Sequence, residues 1–586
     1  MSKKILDYIS GLEINSSPEE VDATQPFSKI LVDDYGYPKN NIQTRPQFRV
    51  KVRPSDKKKE FPVDIAVFSD SKKKDGTEYI VVECKKDNVK DGVSQLKDYL
   101  RFCHASLGVW FNGKDIRYLR KFESNGKIEF EEIPNIPRHG QKISDIGKFL
   151  RRDLKVPKNL KTIFKSSRNY LAANNVGTVR DEQLAQQLIN LIFCKIYDEK
   201  FTEPNSLVRF RVGLEDSNEE VQERINLLFK EVKSKYKDVI SANDKIELDS
   251  NSLRHIIASM QGYCIIDSKR DAVSDAFEVF IGKALKGDKG QFFTPRNVVK
   301  MMIEIIDPDL DDMILDPASG SGGFLVEALR FCWEKIEKNG TKFNWNRENL
   351  LEEKKSFAIK SIHGMELDNF LTKVCKAYMA IIGDGKGAVF VGDSLEIPNN
   401  WDLRIRQHIG LNRFNVVITN PPFGKDLKIV GEEKLSQFEL GHKWKLDKKN
   451  NQFIKTKVEQ KKAPQILFIE RCLDFLVEGG RLGIVLPDGI YGNESSSYIR
   501  SWISQKAKII AIIDIPLETF LPHTGTKTSV MFLQKRKNLP ADYPIFMAVA
   551  ETCGHDRRGN EIEDDDIKDI AIEFKKWEKE NNPYDY

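Results

Sequence analysis

The stretch Asp316-Pro-Ala-Ser-Gly-Ser-Gly-Gly-Phe324 decides the fold of the larger part of this 586-residue chain. It follows the apolar run Met313-Ile314-Leu315, which predicts a strand, and it leads into Phe324–Leu329, which predicts a helix. A strand, a glycine-rich turn and a helix open a βαβ unit, which binds a nucleotide outside the carboxyl ends of its strands. Gly320 and Gly322 let the backbone approach such a ligand closely.

The spacing of this turn excludes two other nucleotide-binding loops. Leu325 stands where the dinucleotide-binding fingerprint has its third glycine. No Gly-Lys-Ser/Thr closes the turn, and no such motif occurs elsewhere, so the sequence predicts no P-loop and no ATP motor. Asp316 at the turn itself suits a cationic or amine-bearing ligand better than a diphosphate.

Polar residues also end the next three predicted strands. Ser361–Glu366 and Val389–Asp393 each end in a carboxylate, and Phe414–Thr419 delivers Asn420. A carboxylate at the end of the second strand can bond both hydroxyls of a ribose, which favours a nucleoside ligand. Taken alone, each of these acids is equally well explained as a solvated strand end.

Four motifs in order carry a resemblance to a known family. They are Gly290-Gln-Phe-Phe-Thr-Pro295, Asp316-Pro-Ala-Ser-Gly-Ser-Gly-Gly-Phe324, Asn420-Pro-Pro-Phe423 and Gly480-Arg-Leu-Gly-Ile-Val-Leu-Pro-Asp-Gly489. With them, the region from about Ala276 to Gln534 resembles the N6-adenine DNA methyltransferases, specifically the methylase subunits of type I restriction-modification systems. The resemblance implies S-adenosylmethionine as cofactor, contacted by Phe292, Thr294, Asp316, Ala318, Gly320, Gly322, Glu366 at the ribose and Asp393 at the adenine.

The chemistry of adenine methylation explains the Asn-Pro-Pro-Phe motif. The N6 amine is a poor nucleophile, because its lone pair is delocalised into the ring. Asn420 and the carbonyl of Pro421 can accept the two N6 hydrogens, Pro422 stiffens the loop, and Phe423 is expected to stack on the base. The target base has to leave the duplex to reach such a site. The alternative for the motif alone is an ordinary turn.

Composition sets wider bounds. The chain is 40% hydrophobic and 31% charged, as globular proteins are, and its net charge of +5 says little about partners. The length allows about three to four domains. No apolar run is long enough for a membrane span and no signal peptide is recognised, so a cytoplasmic protein is expected. The 8 cysteines form no Cys-x-x-Cys pair, which predicts neither a zinc site nor a disulfide framework.

Residues 1–145 predict a separate α/β domain with a polar site of its own. Glu83 and Lys85 are two apart on the predicted strand Tyr79–Lys85, so they point to the same face. If Asp64 on the neighbouring strand faces them, two carboxylates can hold Mg²⁺ while the lysine positions a water. Metal-assisted hydrolysis of a phosphodiester needs these parts.

This pattern resembles the PD-(D/E)xK nucleases, and more closely the N-terminal nuclease domain of type I restriction subunits. The resemblance implies Glu20 as a further acid at the metal, with Glu19 as the near alternative. Gln95 and Tyr99, four apart on the following helix, share a face and are expected to contact the DNA backbone.

One departure and one alternative accompany this prediction. Val63 separates Pro62 from Asp64, whereas the family has the proline and the acid adjacent. Without its context, the Asp64, Glu83 and Lys85 pattern is typical of a salt-bridged surface strand.

Three further segments complete the predicted organisation. Residues 146–285 have helical periodicity and resemble the helical N-terminal part of type I methylase subunits, which grips DNA and the partner subunit. Residues 286–540 form the methyltransferase domain, and residues 541–586 form a charged C-terminal tail that docks a partner. Gly424–Pro464 is a polar, lysine-rich insertion beside the site, which predicts a lid or DNA-facing loop that orders on binding, or else a plain disordered insertion.

The sequence thus predicts an α/β protein with a PD-(D/E)xK nuclease-like domain, a helical middle domain and a Rossmann-like S-adenosylmethionine-dependent methyltransferase domain. Its predicted function is N6-adenine methylation of double-stranded DNA together with Mg²⁺-dependent cleavage of unmodified DNA. By family, a separate specificity subunit reads the target sequence, so a hetero-oligomer without membrane contact is expected. One alternative demotes residues 1–145 to a module that only binds DNA or partners. Another is a non-catalytic nucleic-acid-binding protein.

Overall fold

We obtained a computed structural model of the chain, which describes residues 4–51, 60–86, 92–157, 160–174, 181–237, 239–268, 294–382, 388–424, 427–521, 524–538, 542–557 and 562–584. The chain divides into two compact units. The first comprises residues 1–237 and 241–281, and the second comprises residues 238–240 and 282–586.

The first unit is built on a mixed β-sheet. The strands described in this unit are β1 (Lys4–Leu6), β2 (Glu13–Asn15), β3 (Ile42–Gln43), β4 (Phe48–Lys51), β5 (Glu60–Val63), β6 (Ile65–Phe68), β7 (Glu78–Cys84), β8 (Leu107–Phe111), β9 (Ile116–Ser124) and β10 (Lys127–Ile133). Six of them form the sheet, in the order β10-β9-β8-β7-β6-β3. Helix α1 (Gln25–Asp33) precedes the sheet strands, and helix α2 (Val93–Phe102) connects the parallel pair β7 and β8.

Helices cover both faces of this sheet. The run Ile80-Val81-Val82 of β7 is fully buried, because its alternate side chains meet helices on opposite faces. Phe27 of α1 packs in the cluster that contains Ile80, and Leu96 of α2 packs in the cluster that contains Val81. The carboxyl end of β7, which carries the predicted polar residues, is therefore held between two packed layers.

Helices follow in the rest of the first unit. Those described are α3 (Leu160–Asn174), α4 (Asp181–Phe201), α5 (Asn218–Lys235) and α6 (Ser250–Met260). Helix α5 begins with a capping box, in which Ser217 Oγ accepts from Glu220 N at 3.2 Å and Ser217 N donates to Glu220 Oε2 at 2.8 Å. Within the described ranges, no helix of the chain is both long enough and apolar enough to cross a membrane.

The second unit contains a larger mixed sheet. The strands described in it are β11 (Ile314–Asp316), β12 (Ile362–Glu366), β13 (Ala388–Val391), β14 (Phe414–Thr419), β15 (Ile429–Val430), β16 (His442–Asp447), β17 (Gln452–Val458), β18 (Lys461–Lys462), β19 (Leu476–Pro487), β20 (Ala507–Asp514), β21 (Thr528–Lys535) and β22 (Phe546–Val549). The described helices are α7 (Arg296–Ile306), α8 (Gly323–Lys342), α9 (Arg347–Ser361), α10 (Asn369–Ile382), α11 (Leu403–His408), α12 (Glu432–Ser436), α13 (Pro464–Phe475), α14 (Gly489–Gly492), α15 (Ser497–Lys506) and α16 (Ile567–Asn581).

Eight of these strands form one sheet in the order β13-β12-β11-β14-β19-β21-β20-β22. The first five are parallel, whereas β21 runs antiparallel between β19 and β20. The predicted α/β fold of this region is confirmed. Because the first βαβ units turn outward in both directions from β11, the carboxyl ends of β11 and β14 lie side by side at a topological switch point.

The insertion that follows the fourth parallel strand is folded in its described part. Strands β15 and β18 pair at its base, and β16 and β17 form an antiparallel hairpin beyond it. Leu435, Phe438 and Leu440 are fully buried in the core of the sheet domain. The expectation of a plain disordered insertion is therefore incorrect for residues 427–464. Only a few apolar residues fasten this segment, which is why its periodicity is weak.

The C-terminal segment is charged, as its sequence shows, but it is not a separate tail. Strand β22 pairs in parallel with β20 and forms the edge of the sheet. Phe574 of α16 is fully buried, and Lys575 Nζ donates to Asp307 Oδ2 at 2.8 Å at the end of α7. The apolar residues of α16 thus give the charged segment a face that packs on the sheet domain. The described part of residues 541–586 therefore belongs to the sheet domain and does not form a separate tail.

Candidate functional site

Asp316 ends β11 and opens the glycine-rich turn. Its side chain is 1% exposed, and Oδ1 accepts a hydrogen bond from Ala318 N at 3.1 Å. Its Oδ2 is buried and has no hydrogen-bond partner among the described residues. Burial raises the pKa of Asp316 to about 7. A buried, unmatched carboxylate oxygen is what a positively charged ligand group would satisfy.

Gly320 and Gly322 have different roles in the turn. Gly322 has φ +92°, and a Cβ there would lie 2.5 Å from Cys375 Sγ, so the turn packs against α10 only with glycine at this position. Gly320 has φ +52°, and a Cβ there would meet nothing within 4 Å. Gly320 therefore faces open space, which leaves room for a ligand against the backbone.

Glu366 at the end of β12 fastens this turn. Its Oε2 accepts from Gly320 N at 2.8 Å, and its Oε1 accepts from Asp368 N at 3.0 Å. Burial raises the pKa of Glu366 above its usual range. The carboxylate thus lies directly beside the open backbone of Gly320, where the sequence predicts the ribose.

Asp393 follows β13 and contacts the insertion. Its Oδ1 accepts from Leu395 N at 2.9 Å, and its Oδ2 pairs with the ammonium of Lys434. Lys434 also lies 3.4 Å from Glu396 Oε2. The predicted cofactor-adenine position is therefore bordered by α12, a contact that nothing in the sequence indicates.

Asn420 follows β14 with its amide already oriented. Its Nδ2 donates to Thr294 Oγ1 at 3.0 Å, whereas its Oδ1 is buried and has no hydrogen-bond partner among the described residues. The amide therefore presents a free acceptor. Thr294, which the resemblance assigns to the cofactor, contacts the Asn420 amide here, while Phe292 lies outside the described residues.

The two prolines and Phe423 complete this loop. Pro421 is buried and Pro422 is partly exposed. Phe423 is 2% exposed, and its ring meets the ring of Phe520 edge-on at 6.4 Å. Its aromatic surface is thus inside the protein in this structure, so stacking of Phe423 on a base remains a prediction.

The sheet brings these residues to one edge. Asn420, Asp316, Glu366 and Asp393 follow the adjacent parallel strands β14, β11, β12 and β13 in that spatial order. Neighbouring strands lie about 4.8 Å apart, so the four residues follow one another along the carboxyl edge, where parallel sheets bind their ligands. We call this row of residues, with an amide acceptor at one end and carboxylates beside it, the groove.

The first unit holds a second polar cluster. Asp64 lies between β5 and β6, and its Oδ2 accepts from Cys84 N at 2.8 Å while Gln47 Nε2 donates to its Oδ1 at 3.3 Å. Glu83 is 2% exposed and pairs with the ammonium of Lys85. These three residues are brought together as predicted from their spacing, and the burial of Glu83 does not agree with a surface strand.

Burial and mutual repulsion govern the charges in this cluster. Burial raises the pKa of Asp64 to about 6. Burial, and then the negative charge of Asp64, raise the pKa of Glu83 to about 7. Both carboxyl groups lose their protons less readily than usual, because they are buried next to each other. A bound cation would stabilise their ionised forms.

The two candidate glutamates of the first helical turn differ in their surroundings. Glu20 pairs with the guanidinium of Arg45 and accepts from Gln25 Nε2 at 3.0 Å. The charge of Glu19 contributes to the raised pKa of Asp64 and of Glu83, and the charge of Glu20 contributes to that of Asp64. Both glutamates therefore act on the cluster, although Glu20 is also held by Arg45 and Gln25. Among the described residues, no group of three or more acidic, histidine or cysteine side chains is arranged to hold a metal.

Gln95 and Tyr99 hydrogen-bond to each other on α2. Tyr99 is 2% exposed, and its hydroxyl also donates to Pro62 O at 3.2 Å. Gln95 is exposed. Of this pair, only Gln95 presents its side chain outward, because Tyr99 fills the layer between α2 and the strand that leads to Asp64.

Comparison with known proteins decides the family. Residues 268–585, more than half of the chain, match the family described as N-6 DNA Methylase. The chain belongs to the N-6 DNA methylase family. Its second unit has a mixed α/β fold. Residues 18–137 of the chain match a second family, described as type I restriction enzyme R protein N terminus.

The individual relatives of this chain share only about a quarter of their aligned residues with it. Over 302 residues it is 26% identical to the type I restriction enzyme EcoEI methylase subunit of Escherichia coli, covering 51% of this chain and 50% of that protein. Over 324 residues it is 25% identical to the MjaVII methylase subunit of Methanocaldococcus jannaschii, covering 53% and 48%. The chain spans about half the length of these curated relatives.

Among solved structures, this chain is similar to a modification subunit of a putative type I restriction enzyme from Vibrio vulnificus YJ016. The two chains are 17% identical, with a TM-score of 0.46, over 72% of this chain and 89% of that one.

Replacing Glu83 with glutamine is expected to change how the free energy of unfolding of the chain depends on pH. The pKa of Glu83 is about 7 in the folded chain, against a usual value of 4.5. Between these values the folded state holds a proton that the unfolded state has lost, so stability falls as pH rises through this window. Glu83→Gln removes this loss. We expect the variant to gain thermal stability relative to the wild type at pH 8, and to gain none at pH 4.5.

Thermal unfolding followed by circular dichroism at the two pH values measures this gain. Glu129→Gln, on an exposed position of β10, is the matched control and is expected to shift nothing between them. An equal difference between Glu83→Gln and wild type at pH 4.5 and pH 8 contradicts the burial of an ionisable carboxyl at this position.

Proposed function

We propose that the second unit transfers a methyl group from S-adenosylmethionine to N6 of adenine in DNA. The single observation that carries this proposal is Asn420, whose amide nitrogen is engaged by Thr294 while its buried oxygen is free. Membership of the N-6 DNA methylase family supports the same reaction. The cofactor fits the groove, because Asp316 has an unmatched buried oxygen and Gly320 faces open space.

Each residue of the groove has a defined part in this proposal. The Asp316 carboxylate pairs with the ammonium of the cofactor's amino-acid end, Glu366 accepts from its ribose hydroxyls, and Asp393 accepts from its adenine amine. When bound, the cofactor supplies an electrophilic methyl group on a sulfonium. The chain's own contribution is to hold that group and the target amine in line, which converts a slow encounter into an intramolecular step.

Asn420 and Pro421 prepare the target amine. Asn420 Oδ1 and the Pro421 carbonyl accept the two N6 hydrogens, which draws the nitrogen out of conjugation and directs its lone pair at the methyl carbon. With the cofactor bound, the N–C bond would form as the C–S bond breaks, and the extra proton on N6 would pass to water after transfer. Phe423 stacks on the extruded base once the loop admits it.

The test of this proposal is transfer of tritiated methyl groups from the cofactor to unmethylated plasmid. The chain is co-expressed with the products of neighbouring genes, because a specificity subunit is proposed to select the site in a cytoplasmic hetero-oligomer. Digestion of the product and identification of N6-methyladenine supports the proposal. Transfer to cytosine, or none with any copurifying partner, refutes it.

We further propose that the first unit cleaves unmodified DNA with Mg²⁺. Its match to the N terminus of type I restriction R proteins supports this proposal, as do the adjacent buried carboxyls of Asp64 and Glu83 beside Lys85. These carboxyls would hold Mg²⁺, with Glu19 or Glu20 as the further acid, and the metal would supply charge stabilisation at the phosphate. The second candidate is a module that binds DNA or partners without cleaving, which the engagement of Glu20 by Arg45 favours.

Replacing Glu83 with alanine decides between these two candidates. If the first unit is a nuclease, Glu83→Ala is expected to lower the cleavage rate of unmethylated plasmid with Mg²⁺ by at least about 100-fold, as loss of one group that stabilises charge in the transition state does. Methyl transfer is expected to be unchanged. Agarose gels of plasmid incubated with and without S-adenosylmethionine measure cleavage.

Glu129→Ala is the matched control for this substitution, since Glu129 is exposed on β10 of the same sheet. Methyl transfer by the wild-type complex without cleavage under any condition establishes the second candidate. A third possibility, a non-catalytic nucleic-acid-binding protein, requires that neither reaction is seen and that the cofactor does not bind.

A further inference from the structure

We propose that the hairpin β16–β17, residues 442–458, holds the phosphate backbone of duplex DNA beside the catalytic loop. We call it the lysine ribbon. The inference rests on the proposed methyltransferase function, and it assigns to the insertion a definite ligand and surface.

The charge of the lysine ribbon is the first observation. It carries one acid, Asp447, and six exposed lysines, which are Lys443, Lys445, Lys448, Lys449, Lys455 and Lys457. Its net charge of +5 equals that of the whole 586-residue chain, so the rest of the protein is neutral on balance. Asp447 is occupied in the turn, where it accepts from Lys449 N at 3.0 Å and from Asn450 Nδ2 at 2.8 Å.

The arrangement of the lysines suits a groove with phosphates on both sides. Lys445 lies opposite Ile454, and Lys455 lies opposite Trp444. Directly opposed residues share a face of a hairpin and successive residues alternate, so Lys445 and Lys455 project from opposite faces. A two-stranded ribbon fits the major groove, which is about 12 Å wide, and the exposed lysines of the ribbon then meet the phosphates that border it, while Trp444 on one face stacks on Tyr498.

The lysine ribbon is held on a firm base. Glu470 of α13 accepts from Glu439 N and from Leu440 N, each at 2.7 Å. The ring of Trp444 stacks on Tyr498 at 6.1 Å, and Trp444 Nε1 donates to Glu439 O at 3.2 Å. A surface that is ordered before binding loses less conformational freedom when it meets its ligand.

The foot of the insertion lies at the edge of the sheet that carries the catalytic loop. Five residues lie between Phe423 and Ile429, where β15 begins, so the insertion starts within about 20 Å of the loop. Lys434, at its foot, pairs with Asp393 of the cofactor groove. Duplex DNA that delivers a base to Asn420 therefore passes the lysine ribbon.

The experiment is the salt dependence of binding of the full chain to a fluorescent DNA duplex. The variant is Lys443→Gln with Lys445→Gln, Lys455→Gln and Lys457→Gln. Each phosphate contact adds about 0.9 to the slope of log affinity against log salt concentration, so we expect the slope to become shallower by about 3 to 4. Affinity at low salt is expected to fall at least about 10-fold. The same four positions changed to arginine are expected to retain the wild-type slope.

The matched control removes four lysines from exposed positions of α8 and α9, as Lys338→Gln, Lys342→Gln, Lys355→Gln and Lys360→Gln. An unchanged slope in the ribbon variant, or an equal loss in the control, overturns the inference. Loss of a copurifying protein subunit with an unchanged DNA slope overturns it in favour of a protein contact. If the ribbon substitutions make the salt slope shallower but the wild-type complex transfers no methyl groups, the DNA-binding surface is supported and the proposed methyl transfer is refuted.

Discussion

Asn420→Ala is expected to reduce kcat for methyl transfer by about 10³, since the variant lacks an acceptor that acts mainly as the reaction proceeds. The wild-type amide is fixed by Thr294 and presents a buried free oxygen, so alanine removes that acceptor. Affinity for S-adenosylmethionine, measured by calorimetry, is expected to remain within about two-fold, and cleavage by the first unit is expected to be unchanged.

Asn400→Ala is the matched control for this substitution. Asn400 is an exposed amide beyond β13, and its side chain donates to Glu396 at 3.1 Å. It is expected to leave methyl transfer unchanged. A fall in cofactor affinity in Asn420→Ala as large as the fall in kcat would mean that Asn420 shapes the cofactor groove and does not act on the target amine.

Asp316→Ala is expected to weaken S-adenosylmethionine binding by about 10- to 100-fold, which corresponds to the loss of a hydrogen bond to a charged group. The carboxylate is 1% exposed with one oxygen unmatched, so the ligand's ammonium has no equivalent partner once it is removed. Binding is expected to strengthen in the wild type as pH rises through about 7, because deprotonation of Asp316 then supplies the charge. Calorimetry at pH 6 and pH 8 measures both effects.

Asp309→Ala serves as the control for Asp316→Ala. Asp309 precedes the same strand, and its side chain is 68% exposed at the opposite end of the sheet. It is expected to bind the cofactor with wild-type affinity at both pH values. If Asp316→Ala binds the cofactor as tightly as the wild type, the groove at β11 is not the cofactor site.

The fold of the second unit was accessible from sequence because its strands carry their own signals. Each parallel strand is a short apolar run that ends in a polar residue at a turn, as Asp316, Glu366 and Asn420 do. In a parallel sheet such ends meet at one edge, so strand order and motif position suffice to bring the residues together. In the first unit, the alternation of side chains on β7 and the antiparallel pairing of β6 with β7 bring Glu83 beside Asp64.

What the sequence did not indicate are contacts between side chains far apart in the chain. The pairing of Lys434 with Asp393 and the hydrogen bond of Asn420 to Thr294 depend on how elements pack, not on periodicity. The insertion shows no clear period because its fully buried apolar residues, Leu435, Phe438 and Leu440, are few and stand in a lysine-rich segment. The edge strand β22 is likewise too short to stand out within a charged segment.

The packing of α16 on the sheet domain bears on how the protein is made. Asp307, at the end of the first described helix of the second unit, bonds to Lys575, 268 residues later. Asn297 of the same helix donates to Cys553 O and Asp565 Oδ1. A ribosome must therefore release nearly the whole segment before these ends can meet, and such long-range closure is slow. We therefore expect the first unit to fold first during synthesis, and the sheet domain of the second unit to be completed only after translation has passed α16.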